Sequence, residues 1–112
     1  MEAGVIMIDA RTVLLWAGLV SRARSEADRV GIADALVNGN RAGFLRFCEQ
    51  WEATLLEHVN LTDDERIVMQ LRYVRDYDRD EIAGLLGCSI RTVTNRQVSA
   101  AEKIAAFFNS IL

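Results

Sequence analysis

Arg91 and Asn95, two side chains able to read a base pair, stand about one helical turn apart. Arginine can bond two acceptors on guanine and asparagine can pair with adenine, each such contact carrying about 1–3 kcal/mol of discrimination. At about 100° per residue, Val93, Ala100, Ile104, Phe107 and Ile111 share one stripe of this segment, while Arg91, Thr94, Asn95, Val98 and Ser99 fall on or near the opposite one. A helix so divided packs by its apolar stripe and offers short polar side chains and an arginine to a groove about as wide as itself. An ordinary amphipathic helix has the same pattern with a solvated outer face. What favours recognition is the element that precedes it.

That element is Asp78-Arg79-Asp80-Glu81-Ile82-Ala83-Gly84-Leu85-Leu86-Gly87-Cys88-Ser89. Asp78 can accept from the free amides of a helix start, and Glu81 three residues on completes a reciprocal capping box. Ile82, Leu85 and Leu86 then give the helix one apolar face. Gly87 suits the left-handed residue that commonly ends a helix, and Ser89 is a good N-cap for the next. Two helices joined by so short a turn cross steeply, as in a helix-turn-helix.

Leu61-Thr62, Glu65-Arg66, Val68, Leu71-Arg72-Tyr73, Glu81-Ile82-Ala83, Leu86-Gly87-Cys88-Ser89, Thr92-Val93, Arg96 and Ala100 together resemble the C-terminal region-four helix-turn-helix of bacterial sigma factors, a pattern shared by phage-encoded late-gene and packaging regulators. The resemblance spans roughly residues 61–104. It implies a DNA-binding transcription module whose last helix lies in the major groove. By position, Arg91, Thr94 and Asn95 would face the bases with Ile90 at the helix entry, and Ser89, Thr92 and Arg96 would sit against phosphates. Ser99, on the same outer face, completes the expected DNA-binding set. The chain departs from the pattern in three places. Ser99-Ala100-Ala101-Glu102-Lys103 stands where basic residues often gather, Gln97 occupies a usually apolar core position, and Asp76 replaces a common helix-ending glycine.

The composition sets bounds on this reading. The 112 residues carry a net charge of −3, which argues against wholesale electrostatic attraction to nucleic acid. From Ser89 to Lys103 the positive residues Arg91, Arg96 and Lys103 face only Glu102. This modest local patch implies weak, salt-dependent non-specific binding to DNA. No glycine-rich phosphate loop, serine elbow or His-Glu metal motif is present. The pairs Asp63-Asp64 and Asp80-Glu81 fall at helix starts, where capping accounts for them. Cys48 and Cys88 read as small apolar side chains in a reducing compartment, and His58 as a helix-end residue. No catalytic residue, metal or cofactor is expected. The longest apolar run, Val13 to Val20, is too short to span a bilayer, and a cytoplasmic protein is expected.

With 51% hydrophobic residues and no proline, the fold expected is all-α, a helical bundle with a C-terminal helix-turn-helix and no winged elements. Asp9 should cap a helix running to about Val30, on the stripe Val13, Trp16, Val20, Ala23, Ala27 and Val30. Leu14, Leu15 and Leu19 widen that stripe beyond one face. Gly31 reads as a break, 32–37 as a short helix closed by Asn38-Gly39-Asn40, and Asn40 as the cap of a helix to about Val59. Phe44, Phe47, Cys48, Trp51, Leu55 and Val59 form its core stripe. Thr62 and Glu65 make a second capping box, with Ile67, Val68, Leu71 and Val74 as the core face that follows. Residues 1–60 are expected to form an interaction region and residues 61–112 the DNA-binding domain, ending in an apolar tail that needs cover from the first helices or from a second copy. The partners expected are double-stranded DNA, a second copy in a homodimer, and RNA polymerase. The alternative is a module that binds RNA polymerase or another regulator without touching DNA.

Overall fold

The computed structural model describes residues 8–23, 25–36, 40–53 and 57–111. Six helices follow in order: α1 (Ala10–Arg22), α2 (Glu26–Ala35), α3 (Asn40–Ala53), α4 (Asp63–Tyr73), α5 (Arg79–Leu86) and α6 (Ile90–Ile111). No strand occurs among the described residues, and the fold is all-α.

Asp9 starts α1 as its sequence requires, its Oδ1 accepting from the Thr12 amide at 2.8 Å. The helix does not continue to Val30. Ala23 is extended at φ −82°, ψ 110°, and Ser25 caps α2 by accepting from the Asp28 amide at 3.1 Å. Gly31, expected to break the chain, lies inside α2 with open space beside it. Its lost helix propensity, about 1 kcal/mol, is small enough for the cap at Ser25 and the surrounding packing to override. Val37, the end of the expected short helix, Asn38 and Gly39 of the expected turn, and Leu55 of the expected α3 stripe lie outside the described residues. Val59 is buried but sits in a bend rather than in a helix.

An aromatic chain builds the larger core. Trp16 on α1 meets Phe44 and Phe47 on α3 edge-on, at centroid distances of 5.7 and 5.5 Å. Phe47 stacks on Trp51 at 5.0 Å and on Phe108 of α6 at 4.8 Å. Trp51 in turn meets Tyr73 of α4 at 6.2 Å. Each such pair adds about 0.5–1.5 kcal/mol beyond area burial. Gly43 lies beside this cluster, where a Cβ would stand 3.4 Å from the Trp16 ring, an ordinary van der Waals contact. The tail of α6 is covered in part from within the chain: Phe108 is fully buried and Phe107 packs against the core, while Ile111 is exposed. At the far end, Asn109 clasps Ile8, accepting from its amide and donating to its carbonyl, each at 2.8 Å.

A second, smaller core joins Val68 of α4, Ile82 and Ala83 of α5, and Val93 of α6. The two cores share α6, which packs against α1 by its later turns and against α4 and α5 by its earlier ones. Three residues expected on the core faces of α4 and α5 are outside both. Leu85, Val74 and Ile67 are exposed, at 62%, 59% and 41%. Their places are taken by Ala83, Tyr73 and Met69, each buried. α4 and α5 are short, and a rotation of one residue moves a side chain by about 100°.

Candidate nucleic-acid interface

Local chemistry fixes the turn. Asp78 Oδ1 accepts from the Glu81 amide at 2.8 Å, and Glu81 Oε1 from the Asp78 amide at 3.0 Å. α5 ends at Gly87, left-handed at φ 66°, ψ 36°, and the Cys88 amide donates back to Ala83. Ser89 opens α6, its Oγ accepting from the Thr92 amide at 3.1 Å and lying 3.0 Å from Thr92 Oγ1. Asp76, where the sigma-like pattern often has glycine, adopts the same left-handed backbone at φ 62° and brings the Tyr77 amide onto the Leu71 carbonyl. Asparagine and aspartate tolerate this conformation better than other residues with a side chain.

Val93, Gln97, Ala100, Ala101, Ile104, Ala105 and Phe108 form the buried side of α6. Arg91 and Asn95 are exposed and make no side-chain hydrogen bond or ion pair among the described residues. Ile90, at 47%, and Val98, at 38%, are exposed beside them. Ser89 is exposed, and Thr92 and Thr94 are half-buried. Arg96 reaches across to α4, with Nη2 3.4 Å from Asp64 Oδ2. Both groups are substantially solvated, so the pair is worth about 0–1 kcal/mol and is readily exchanged. Ser99 is engaged more firmly, its hydroxyl donating to Glu65 Oε2.

Glu65 is the centre of a buried polar knot that local spacing does not reveal. Its carboxylate accepts from Ser99, from Lys103 Nζ at 2.7 Å and from the Thr62 amide at 2.8 Å. Burial raises its pKa, but these three donors outweigh that effect and hold it at about 2. Of the three positive residues counted in the sequence, Lys103 and Arg96 therefore have carboxylate partners inside the chain, and Arg91 has none among the described residues. The sequence reading also missed Arg79, the first residue of α5. Its Nε donates to Gln97 Oε1 at 2.8 Å. Gln97 is wholly buried, and its amide donates to the Tyr73 hydroxyl at 3.1 Å. The visible signal was an amide at a usually apolar core position.

No group of His, Cys, Asp and Glu side chains suited to a metal ion occurs among the described residues. Cys48 and Cys88 are free thiols, and burial pushes the Cys48 thiol pKa up, as expected of a packing residue. No helix among the described residues is long and apolar enough to cross a membrane.

Residues 54–103 match the family model for sigma-70, region 4. No curated protein and no solved structure matches the chain. The matched span takes in α4, α5 and the first two-thirds of α6, and it leaves α1, α2 and α3 outside. Residues 54–103 are thus similar to sigma-70, region 4, and α5 and α6 within them fold as a helix-turn-helix.

Proposed function

We propose that the chain is a sequence-specific transcriptional regulator that lays α6 in the major groove of DNA. Arg91, Thr94 and Asn95 face base edges in this reading, with Ile90 at the helix entry. Ser89, Thr92 and Arg96 lie along the phosphates. The observation that carries it is the division of α6: the face opposite the buried wall holds Arg91 and Asn95, exposed and without partners among the described residues. An unpaired arginine and asparagine one turn apart are suited to two neighbouring base pairs. Arg96 exchanges Asp64 for a phosphate at little cost, because its ion pair is solvated. Ser99 is the weakest member of the set, since its proton is committed to Glu65.

The regulator is either a compact sigma-like factor or a phage-type activator, with α1 to α3 serving as its contact to RNA polymerase or to a second copy. A homodimer has to be built largely on α1, where Leu15 is 57% exposed, because Phe107 and Phe108 are packed inside the chain. A second reading, a module that binds polymerase without DNA, draws support from the internal pairing of Arg96 and Lys103. Selection of bound sequences from a random DNA pool decides between them. The wild type should enrich a defined site, and Arg91→Ala should lose preference at one base pair, by about 1–3 kcal/mol, with the fold intact. An Arg91→Ala selection identical to wild type removes Arg91 from the reading set. No enrichment by the wild type favours the second reading.

A further inference from the structure

Gln97 stands at the seam of the two cores, one turn from Val93 in the smaller and three residues before Ala100 in the larger. A buried amide costs free energy unless its groups are bonded, and an apolar side chain would fill this position without that cost. Here both ends are used: the nitrogen donates to Tyr73 Oη and the oxygen accepts from Arg79 Nε. Arg79 Nε can only donate, so the amide turns its oxygen to Arg79, and the bond from its nitrogen to Tyr73 Oη holds it in that place. The guanidinium is thereby held against α6 by one nitrogen, and its two terminal nitrogens have no partner among the described residues. Neighbouring carboxylates do not take them. Asp78 and Glu81 cap each other's backbone, and no ion pair joins Asp80 to Arg79.

We propose that Gln97 is a positioning residue that presents Arg79, from the start of α5, to a phosphate of the DNA backbone flanking the recognition helix. The inference rests on the DNA-binding reading above. In a helix-turn-helix the first helix crosses the backbone while the second enters the groove, and the fork of a guanidinium held by Nε alone fits two phosphate oxygens. A pre-set arginine supplies a phosphate contact to a surface that has little free positive charge.

The test is a double-mutant cycle on the full chain, with affinity for a selected DNA duplex measured across a salt series. Arg79→Ala should lower the slope of log affinity against log salt by about 0.9, the signature of one lost phosphate contact. Gln97→Met should weaken binding when Arg79 is present and have no further effect in the Arg79→Ala background. Thermal melting checks that each variant is folded; if Gln97→Met is not, Tyr73→Phe, which removes only the hydroxyl that anchors the amide, takes its place in the cycle. An unchanged slope in Arg79→Ala, with wild-type binding intact, overturns the proposal and leaves the DNA reading standing. A Gln97→Met effect that is absent, or equal with and without Arg79, overturns the positioning role. If the wild type shows no salt-dependent binding to any duplex, the DNA reading has failed and this inference fails with it.

Discussion

Glu65 shows how one side chain can tie two helices together, here α4 and α6. It belongs to the capping box of α4 through Thr62, and the same carboxylate holds Ser99 and Lys103 on α6. A carboxyl with an ordinary pKa near 4.5 held at about 2 in the fold stabilises the protein fully above the higher value. That stabilisation, on the order of 3 kcal/mol, is lost as pH falls through the interval between the two. Glu65→Gln should therefore lower the melting temperature at neutral pH and flatten the acid limb of stability between about pH 5 and pH 2. Parallel acid limbs for wild type and variant would show that Glu65 is not the group titrating. The capping half of this residue's role was legible in the sequence, because Thr62 and Glu65 are three residues apart. Its other half spans 34 and 38 residues, a distance at which no periodic pattern brings two residues together. Arg96 with Asp64 and Arg79 with Gln97 were hidden for the same reason.

Among the elements, those whose ends are written in local chemistry were the most legible. The capping boxes at Thr62 and Asp78, the left-handed Gly87 and the cap at Ser89 all depend on residues within four positions of one another. Gly87 should be sensitive to substitution for its backbone alone. A Cβ there meets nothing within 4 Å, so Gly87→Ala should cost about 1–2 kcal/mol through the left-handed conformation and nothing through crowding. Chemical denaturation measures this directly, and an unchanged midpoint would mean that the turn relaxes to another conformation. The break between α1 and α2 was less legible. Neither glycine nor proline marks it, and Ser25 with Asp28 gives a capping signal inside a continuous helical stripe. Periodicity carried the stripe across the break, although Ala27 beyond it is exposed. The exposed Leu85, Val74 and Ile67 reflect a related limit. In a helix of two or three turns several apolar residues compete for one buried side, and the choice is made by the partner helix.

At the scale of the molecule, α6 is the common wall of both cores, a 22-residue helix about 33 Å long. Its first turns complete the helix-turn-helix and its last close the aromatic core of α1 and α3. Damage at one end should therefore be felt at the other. Phe108→Ala removes a fully buried ring that stacks on Phe47 and should cost about 3–5 kcal/mol. Wild type and variant should each melt in a single transition, whether followed by tryptophan fluorescence of the larger core or by helical circular dichroism. Two separated transitions would show that the helix-turn-helix folds independently of α1 to α3.

The clasp between Ile8 and Asn109 joins residues 101 positions apart, and this has a consequence for synthesis on the ribosome. α1 and α3 emerge well before the turns of α6 that cover them, so Trp16 and Phe47 remain uncovered until Phe108 has been added and released. Until α6 has emerged, the nascent chain thus presents an aromatic surface to chaperones. A polypeptide interrupted within α6 keeps that surface and is thereby exposed to proteolysis.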